Sequence, residues 1–323
     1  MDRKQAVKVG QVESPWISIN KGAAQGSIIG PFAFGVLINF ILLKIGSLGR
    51  CRAICYADDT TLIFACRPDR LQLDVNAAME VTERIIKIFE TFGLKVNSSK
   101  TKLAVFRTSG ITLPVARLCG SELAFSDRVV CLGFSLDARV RWNRRVEELA
   151  PKCYAVIAAL RKLRDSGVPF SGLKLALQAL LMPVLTYGIT VWGGGYKAPM
   201  RRAQVVLNDG VRAITGRKRW ESVSAICVRE RLPRIDQSCL VYTAVLAFES
   251  VKGRTPEDVN FCITETKFQP ARRETTFELP HSTRSLVRQS LPYCLPHVWG
   301  SLPREVRVLE SIKRFKAEVW AES

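Results

Sequence analysis

Ten cysteines are present, but no Cys-x-x-Cys and no paired spacing that would hold zinc, and there are only two histidines. A zinc ribbon or finger is excluded on those grounds. No apolar run reaches the ~20 residues a spanning helix needs: the most apolar stretch, Pro31 to Ile45, is interrupted by Asn39 and Lys44. No membrane segment is expected. Nor does Met1-Asp2-Arg3-Lys4 open into an apolar stretch with a cleavage signal, so the reading is an intracellular protein, in nucleus or cytoplasm, with reduced thiols. Internal repeats are lacking too. Negative charge is also in short supply, because 48 Lys and Arg face 29 Asp and Glu, a net +19. A polyanionic partner becomes the default. The excess is uneven: 17 basic against 12 acidic residues through Ala138, net +5, and 31 against 17 from Arg139 onward, net +14.

What is present is enough for a core. A chain of 323 residues with 47% hydrophobic and 24% charged residues reads as about two domains of ordinary size. Ala6 to Ile19 alternates loosely around Gly10 and Ser14, which predicts a short β-hairpin, and a small polar loop then feeds a helix over Phe32–Leu43. Ala53 to Ala65 carries β-branched and aromatic residues on both sides of Ala57-Asp58-Asp59, the pattern of a hairpin with two aspartates at its tip. Leu71, Val75, Ala78, Met79, Thr82, Ile85, Ile86 and Phe89 share one helical face, with Pro68 ahead and Gly93 as the stop. Lys102–Phe106 and Val129–Leu136 read as strands, giving the first part an α+β character. After Arg139 the pattern turns helical: Trp142 to Leu163, bent at Pro151, then Leu173–Tyr187 interrupted by Pro183, then Arg201–Ile214 closed by Gly216. Repeated prolines beyond Arg254 predict a loop-rich tail up to a last helix over Ile312–Trp320.

Several groups of residues could carry chemistry. Asp58 and Asp59 suit an ordinary turn, since Asp bonds its own backbone there, and equally a Mg²⁺ or Mn²⁺ site, since hard cations take carboxylate oxygens plus substrate phosphates. Two such ions can clamp an in-line phosphoryl displacement. Gln25 and Gly26 precede a helix; the glycine lets backbone approach a ligand and the glutamine offers donor and acceptor, while the plain alternative is a loop capped at Ser27. Lys100 could steady departing pyrophosphate or sit solvated at a strand edge. Tyr56 reads as packed in the hairpin, with a second duty against nucleotide or primer. Arg201-Arg202 and Arg217-Lys218-Arg219-Trp220 are basic clusters near helix ends, open to phosphate contact or to plain solvation, and Trp220 either stacks on a base or packs. Cys294-x-x-His297 has a short metal-ligand-like gap but no partner pair, so it and His281 read as structural or surface residues.

Tyr56-Ala57-Asp58-Asp59 resembles the Tyr-x-Asp-Asp palm motif of reverse transcriptases. Gly22 to Pro31 resembles that family's Gly-x-x-Gln-Gly-Ser-x-x-Gly-Pro pocket motif, and Gly93 to Thr101 its Gly-Leu-x-x-Asn-x-x-Lys-Thr motif. Cys131-Leu132-Gly133-Phe134 is similar to the hairpin that grips the primer. The order and spacing are most similar to reverse transcriptases of non-long-terminal-repeat (LINE-type) retrotransposons, and Tyr187–Trp192, Ile214–Gly216 and Trp299–Pro303 extend the resemblance towards the C-terminus. It implies RNA-directed DNA polymerisation: Asp58 and Asp59 on the metal, Lys100 beside them, Gln25, Gly26 and Tyr56 around the nucleotide, Leu132 and Gly133 on the primer. RNA template, DNA primer and deoxynucleotides are the implied partners.

The resemblance also implies a third metal-binding aspartate, in a Phe-x-Asp strand upstream of the Gln-Gly motif, and fingers before it. Only 21 residues precede Gly22, and the acids among them, Asp2 and Glu13, have no such setting. Phe40 stands where the family commonly has the second member of an Asn-Asp pair. The expectation is a partial palm over 1–138, a helical thumb-like region over 139–216 and a basic C-terminal region over 217–323, truncated in front and inactive by itself. The alternative is a non-enzymatic nucleic-acid-binding remnant. A purely structural helical protein would leave the basic surface idle.

Overall fold

The computed structural model describes residues 3–19, 22, 26–106, 112–139, 142–194, 197–256 and 290–322. The chain forms two compact units, Met1–Val140 and Arg141–Ser323. Small antiparallel strand pairs and helices make the first, and helices the second, so the class is α+β.

In the first unit every described strand pairs with one partner only. Arg3–Gln5 (β1) pairs with Ile17–Ile19 (β4) around an inner hairpin of Lys8–Val9 (β2) and Val12–Glu13 (β3), turning at Gly10 with φ +62°. Ile29–Gly46 (α1) and Leu71–Thr91 (α2) then flank the hairpin of Arg52–Tyr56 (β5) and Asp59–Ile63 (β6). Ile38, Ile41 and Ile45 of α1 meet Val81, Ile85 and Phe89 of α2, with Ala53, Cys55 and Leu62 of the hairpin packed against them. Ile41 and Ile45 are fully buried, each stabilising by roughly 1.5–3 kcal/mol relative to exposure. The N-terminal end of α2 seats a second cluster, where Leu71, Val75, Ala78 and Met79 meet Ala116 and Leu118. Its C-terminal end closes as the sequence expects: Gly93 takes φ +76°, and Leu94 N–H bonds back to the Phe89 carbonyl at 3.0 Å.

Two expectations need correction here. Lys102–Phe106 is not a strand; Leu103 makes a single parallel bridge to Phe125. Leu103 and Val105 drop into the second cluster, so apolar packing rather than strand pairing fixes the segment. Val129–Leu136 is not one strand but a hairpin, Arg128–Cys131 (β9) with Phe134–Asp137 (β10), broken at Leu132-Gly133; Arg117–Leu118 (β7) and Ser121–Glu122 (β8) pair just before it. Helix α1 is also longer than expected, and among the described residues it is the one helix long and apolar enough to cross a membrane. Its Ile29, Phe32, Val36, Phe40 and Leu43 recur at helical spacing and stay exposed, opposite the packed isoleucines.

In the second unit Asn143–Asp165 (α3) runs unbroken through Pro151 and packs along Lys197–Thr215 (α7). Phe170–Ala176 (α4) and Met182–Thr186 (α5) are joined by a π-helical turn, Leu177–Leu181, immediately before Pro183. A π turn accommodates the missing proline N–H and the clash its ring makes one turn back. Gly210 of α7 lies against Leu177 and Leu181 so closely that a Cβ would meet the Leu181 side chain. Ile189–Trp192 (α6), Ser224–Arg229 (α8) and Ile235–Val251 (α9) follow.

Of the expected loop-rich tail, residues 257–289 lie outside the described residues, and residues 290–322 are more helical than expected. Leu291–Ser301 (α10) is helical despite Pro292 and Pro296, and Arg304–Arg307 (α11) and Ile312–Glu322 (α12) complete a layer on α9. Pro292 sits in the first turn, where no N–H is required. Leu295 and Trp299 bury beside Phe248, and the Phe315 ring lies 4.5 Å from Phe248 and 6.0 Å from Trp299. Tertiary packing here overrides the proline signal.

Candidate active site

Strand alternation decides which side chains of the β5–β6 hairpin are free to act. Ala53, Cys55 and Leu62 face the α1–α2 core, so Tyr56 and Asp59, paired across the ladder, face away from it. Asp58 lies in the two-residue turn. Both carboxylates are exposed, and Tyr56 is 66% exposed, which corrects its reading as a packed residue. The turn is strained: Ala57 takes φ +51°, a region that costs an L-residue with a Cβ roughly 1–2 kcal/mol. Strain of this kind gathers where a chain must aim particular side chains.

A second hairpin stands beside the first. Thr61, on the same face of β6 as Asp59, has its Oγ1 3.8 Å from Cys131 Sγ at the end of β9. Cys131 leads directly into Leu132-Gly133, with φ of +49° and +75°. Two successive positive φ values make the tight turn whose twist suits a two-residue hairpin. Asn-Gly is the low-strain choice there, and this chain spends a leucine, 41% exposed, in its place.

Lys100 ends a single 3-10 turn, Ser98–Lys100. Asn97 organises it: its Oδ1 accepts from Ser99 N–H at 3.1 Å and Ser99 Oγ at 2.7 Å, and its carbonyl accepts from Lys100 N–H at 3.2 Å. Leu94 and Val96, just before it, pack into the cluster that carries the aspartate hairpin, so both are anchored to one core. The Lys100 side chain is exposed. Gly26 takes φ +84° with open space where a Cβ would stand, and Ser27 Oγ accepts from Gly30 N–H at 2.9 Å, capping the helix start. Gln25 lies outside the described residues, as does His281.

The donor set bears on the metal. Two adjacent exposed carboxylates fit one hard divalent cation that keeps several waters and completes its shell with substrate phosphates. Among the described residues, no group of three or more His, Cys, Asp or Glu gathers to hold a metal ion. Glu13 is in β3, exposed. Cys294 points its Sγ to the Gly194 carbonyl at 3.2 Å, and the His297 ring lies 4.5 Å from that of Tyr293.

In the second unit the basic clusters separate into braces and free charges. Arg202 pairs with Glu147 of α3. Arg217 sits 3.9 Å from Glu221 and donates to the Ser222 carbonyl at 3.5 Å. Lys218 and Arg219 have no acidic ion-pair partner among the described residues, and Trp220 is 80% exposed. Sequence reasoning could not divide Arg217 from its neighbours, because Glu221 gives no sign of which of them it will take.

Comparison with known proteins agrees with the motifs. Residues 4–136 match the reverse transcriptase (RNA-dependent DNA polymerase) family. Over 230 residues the chain is 26% identical to a probable RNA-directed DNA polymerase from transposon BS of Drosophila melanogaster, covering 66% of this chain and 24% of that protein. It is 23% identical over 319 residues to a retrovirus-related Pol polyprotein from the type-1 retrotransposable element R1 of Nasonia vitripennis, covering 81% of this chain and 93% of that one. A third relative, the RNA-directed DNA polymerase from mobile element jockey of Drosophila melanogaster, is 21% identical over 67% of the chain and 24% of its own length. The chain thus spans about a quarter of the two Drosophila proteins. No solved structure matches it significantly. The order of motifs, the neighbouring hairpins and these relatives converge: residues 4–136 match the reverse transcriptase family, and the chain is similar to RNA-directed DNA polymerases of non-long-terminal-repeat retrotransposons.

Proposed function

We propose that the β5–β6 tip is the metal-binding half of a template-directed nucleotidyl-transfer centre, within a palm-like first unit followed by a thumb-like helical region. The observation that carries this reading is the pair of exposed carboxylates on a strained turn, with the Cys131–Phe134 hairpin alongside. Asp58 and Asp59 would hold Mg²⁺ or Mn²⁺ together with the triphosphate of a deoxynucleotide. The ion supplies charge neutralisation at the reacting phosphate. Lys100, on its Asn97-braced turn, places a cation for the departing pyrophosphate. Gln25 and Gly26 line the template and nucleotide pocket, Tyr56 contacts the nucleotide, and Leu132 with Gly133 holds the primer strand. Lys218 and Arg219, with Arg217 behind them, meet phosphate of RNA or DNA with little sequence preference.

The 323-residue chain by itself is proposed to be a very weak polymerase that retains nucleic-acid affinity. Two carboxylates support one ion well, but a two-ion clamp needs a further bridging group. Removing one preorganised electrostatic contributor commonly lowers turnover ~10²–10³-fold. Primer extension on an RNA template with Mg²⁺ or Mn²⁺ tests this: extension near background, with any residue of it abolished by Asp58→Asn, is expected. Robust extension lost on Asp58→Asn would overturn the weakness, and robust extension indifferent to Asp58→Asn would overturn the site.

A further inference from the structure

The loop after α7 is tied down by polar links and displays one aromatic ring beside Lys218, with Arg219 next to it in the chain. Gly216, at φ +70°, ends the helix. A β-turn then closes from Glu221 N–H to the Lys218 carbonyl at 3.1 Å, leaving Arg219 and Trp220 at its two corners. The Glu221 carboxylate reaches back to accept from Lys218 N–H at 2.6 Å, and Arg217 closes on it from the other side at 3.9 Å. Beneath the turn the half-buried Arg212 donates to the Glu221 carbonyl at 3.0 Å and pairs with Asp209 at 2.9 Å. Asp209 in turn accepts from the Tyr154 hydroxyl at 3.1 Å. Val223, just past the turn, is buried. Four polar links and a buried anchor therefore hold in place a loop whose most apolar side chain points into water.

That outcome runs against the usual fate of an indole, which buries most of its area. Trp220 keeps 80% of its surface exposed, and Lys218 Nζ stands 5.4 Å from the ring centroid on one face. The other face is open. Tyr154, 44% exposed, is close enough to Arg219 for that charge to oppose the rise that burial and Asp209 impose on its phenol. Two exposed aromatics and two cations thus share one surface of the most basic part of the chain.

We propose that this loop is a single-strand binding site, in which an unpaired base of RNA or DNA stacks on the open face of Trp220 while Lys218 and Arg219 take the flanking phosphates. Unpaired bases present a π-face that a duplex conceals, and aromatic platforms with interleaved cations bind them with little regard to sequence. The preformed loop removes the ordering cost a flexible one would carry. Arg217 is a brace and not a contact. The inference rests on the reading that the basic second unit binds nucleic acid, and sharpens it to a strand state and a ring.

The test measures affinities of the full chain for a short oligouridylate, the matching oligothymidylate, the same strands carrying abasic sites, and a blunt RNA duplex. Trp220→Ala is expected to weaken single-strand binding about tenfold, within the range typical of one stacked base. Duplex and abasic affinities should stay unchanged, and Trp220→Phe should keep most of the single-strand affinity. Lys218→Ala and Arg219→Ala should each lower the salt dependence by about one unit of log–log slope, leaving the preference for unpaired bases intact. A loss on both RNA and DNA supports the shared base-and-phosphate chemistry; a loss on one alone names that polymer as the ligand. If Trp220→Ala changes nothing, or weakens duplex and single strand equally, the stacking site is wrong while the nucleic-acid reading stands. Absence of binding to every strand at low salt overturns both.

Discussion

Ala57→Gly probes the backbone that aims the two aspartates. Ala57 stands at φ +51° between Tyr56 and Asp58, where a Cβ crowds the following carbonyl and costs roughly 1–2 kcal/mol that glycine does not incur. Glycine also frees the unfolded chain, which returns about 0.4–1 kcal/mol of that gain. The difference is a net stabilisation on the order of 0.5–1 kcal/mol, or amide exchange in β5 and β6 slowed about two- to fivefold. Hydrogen exchange read amide by amide confines the measurement to the hairpin. Amides of α9, in the other unit, serve as the internal reference. Ala57→Val should do the opposite, because a β-branched residue is least tolerated at positive φ. Faster exchange in Ala57→Gly would refute the reasoning, since it would mean that the methyl group supports the tip rather than straining it.

The core below the tip should be sensitive: Ile41→Ala empties a fully buried position, costing about 3 kcal/mol and speeding exchange of α1, α2 and β5–β6 amides about a hundredfold, without touching α9. Burial pushes the Cys153 and Cys239 thiols up to about 11 from an ordinary 9.0. The unfolded chain releases those protons first, so their contribution is intact below pH 9 and is lost as pH rises from about 9 to 11. Urea midpoints across that window should fall, and less steeply in Cys153→Ala. The exposed stripe of α1 should drive self-association, so Phe32→Ser with Phe40→Ser is expected to raise the concentration at which light scattering begins, at unchanged thermal stability.

What the sequence made legible was local. The Ala53–Ala65 hairpin followed from β-formers around two aspartates, and α2 from an apolar face with a glycine stop. Both signals lie within one element. What escaped depended on partners distant in sequence. Leu291–Ser301 is helical because Leu295 and Trp299 bury against α9, a contact its prolines conceal. The π turn before Pro183 is fitted to Gly210 of α7. The exposure of Tyr56 was hidden for a different reason: alternation says that neighbours face opposite ways, but only the position of α1 and α2 says which way is in. At the proposed site, motif order singles out Asp58, Asp59 and Lys100, yet the division of Arg217 from Lys218 and Arg219 rests on one carboxylate, Glu221, that carries no motif.

Whether the tip holds a divalent ion with substrate phosphates is settled most directly by spin resonance of Mn²⁺ titrated into the purified chain, with and without a deoxynucleoside triphosphate. Asp58 and Asp59 should give weak binding alone and distinctly tighter binding with the nucleotide, both lost in the double variant Asp58→Asn, Asp59→Asn. Mn²⁺ binding that survives the double variant unchanged, or that gains nothing from the nucleotide, would contradict the assignment.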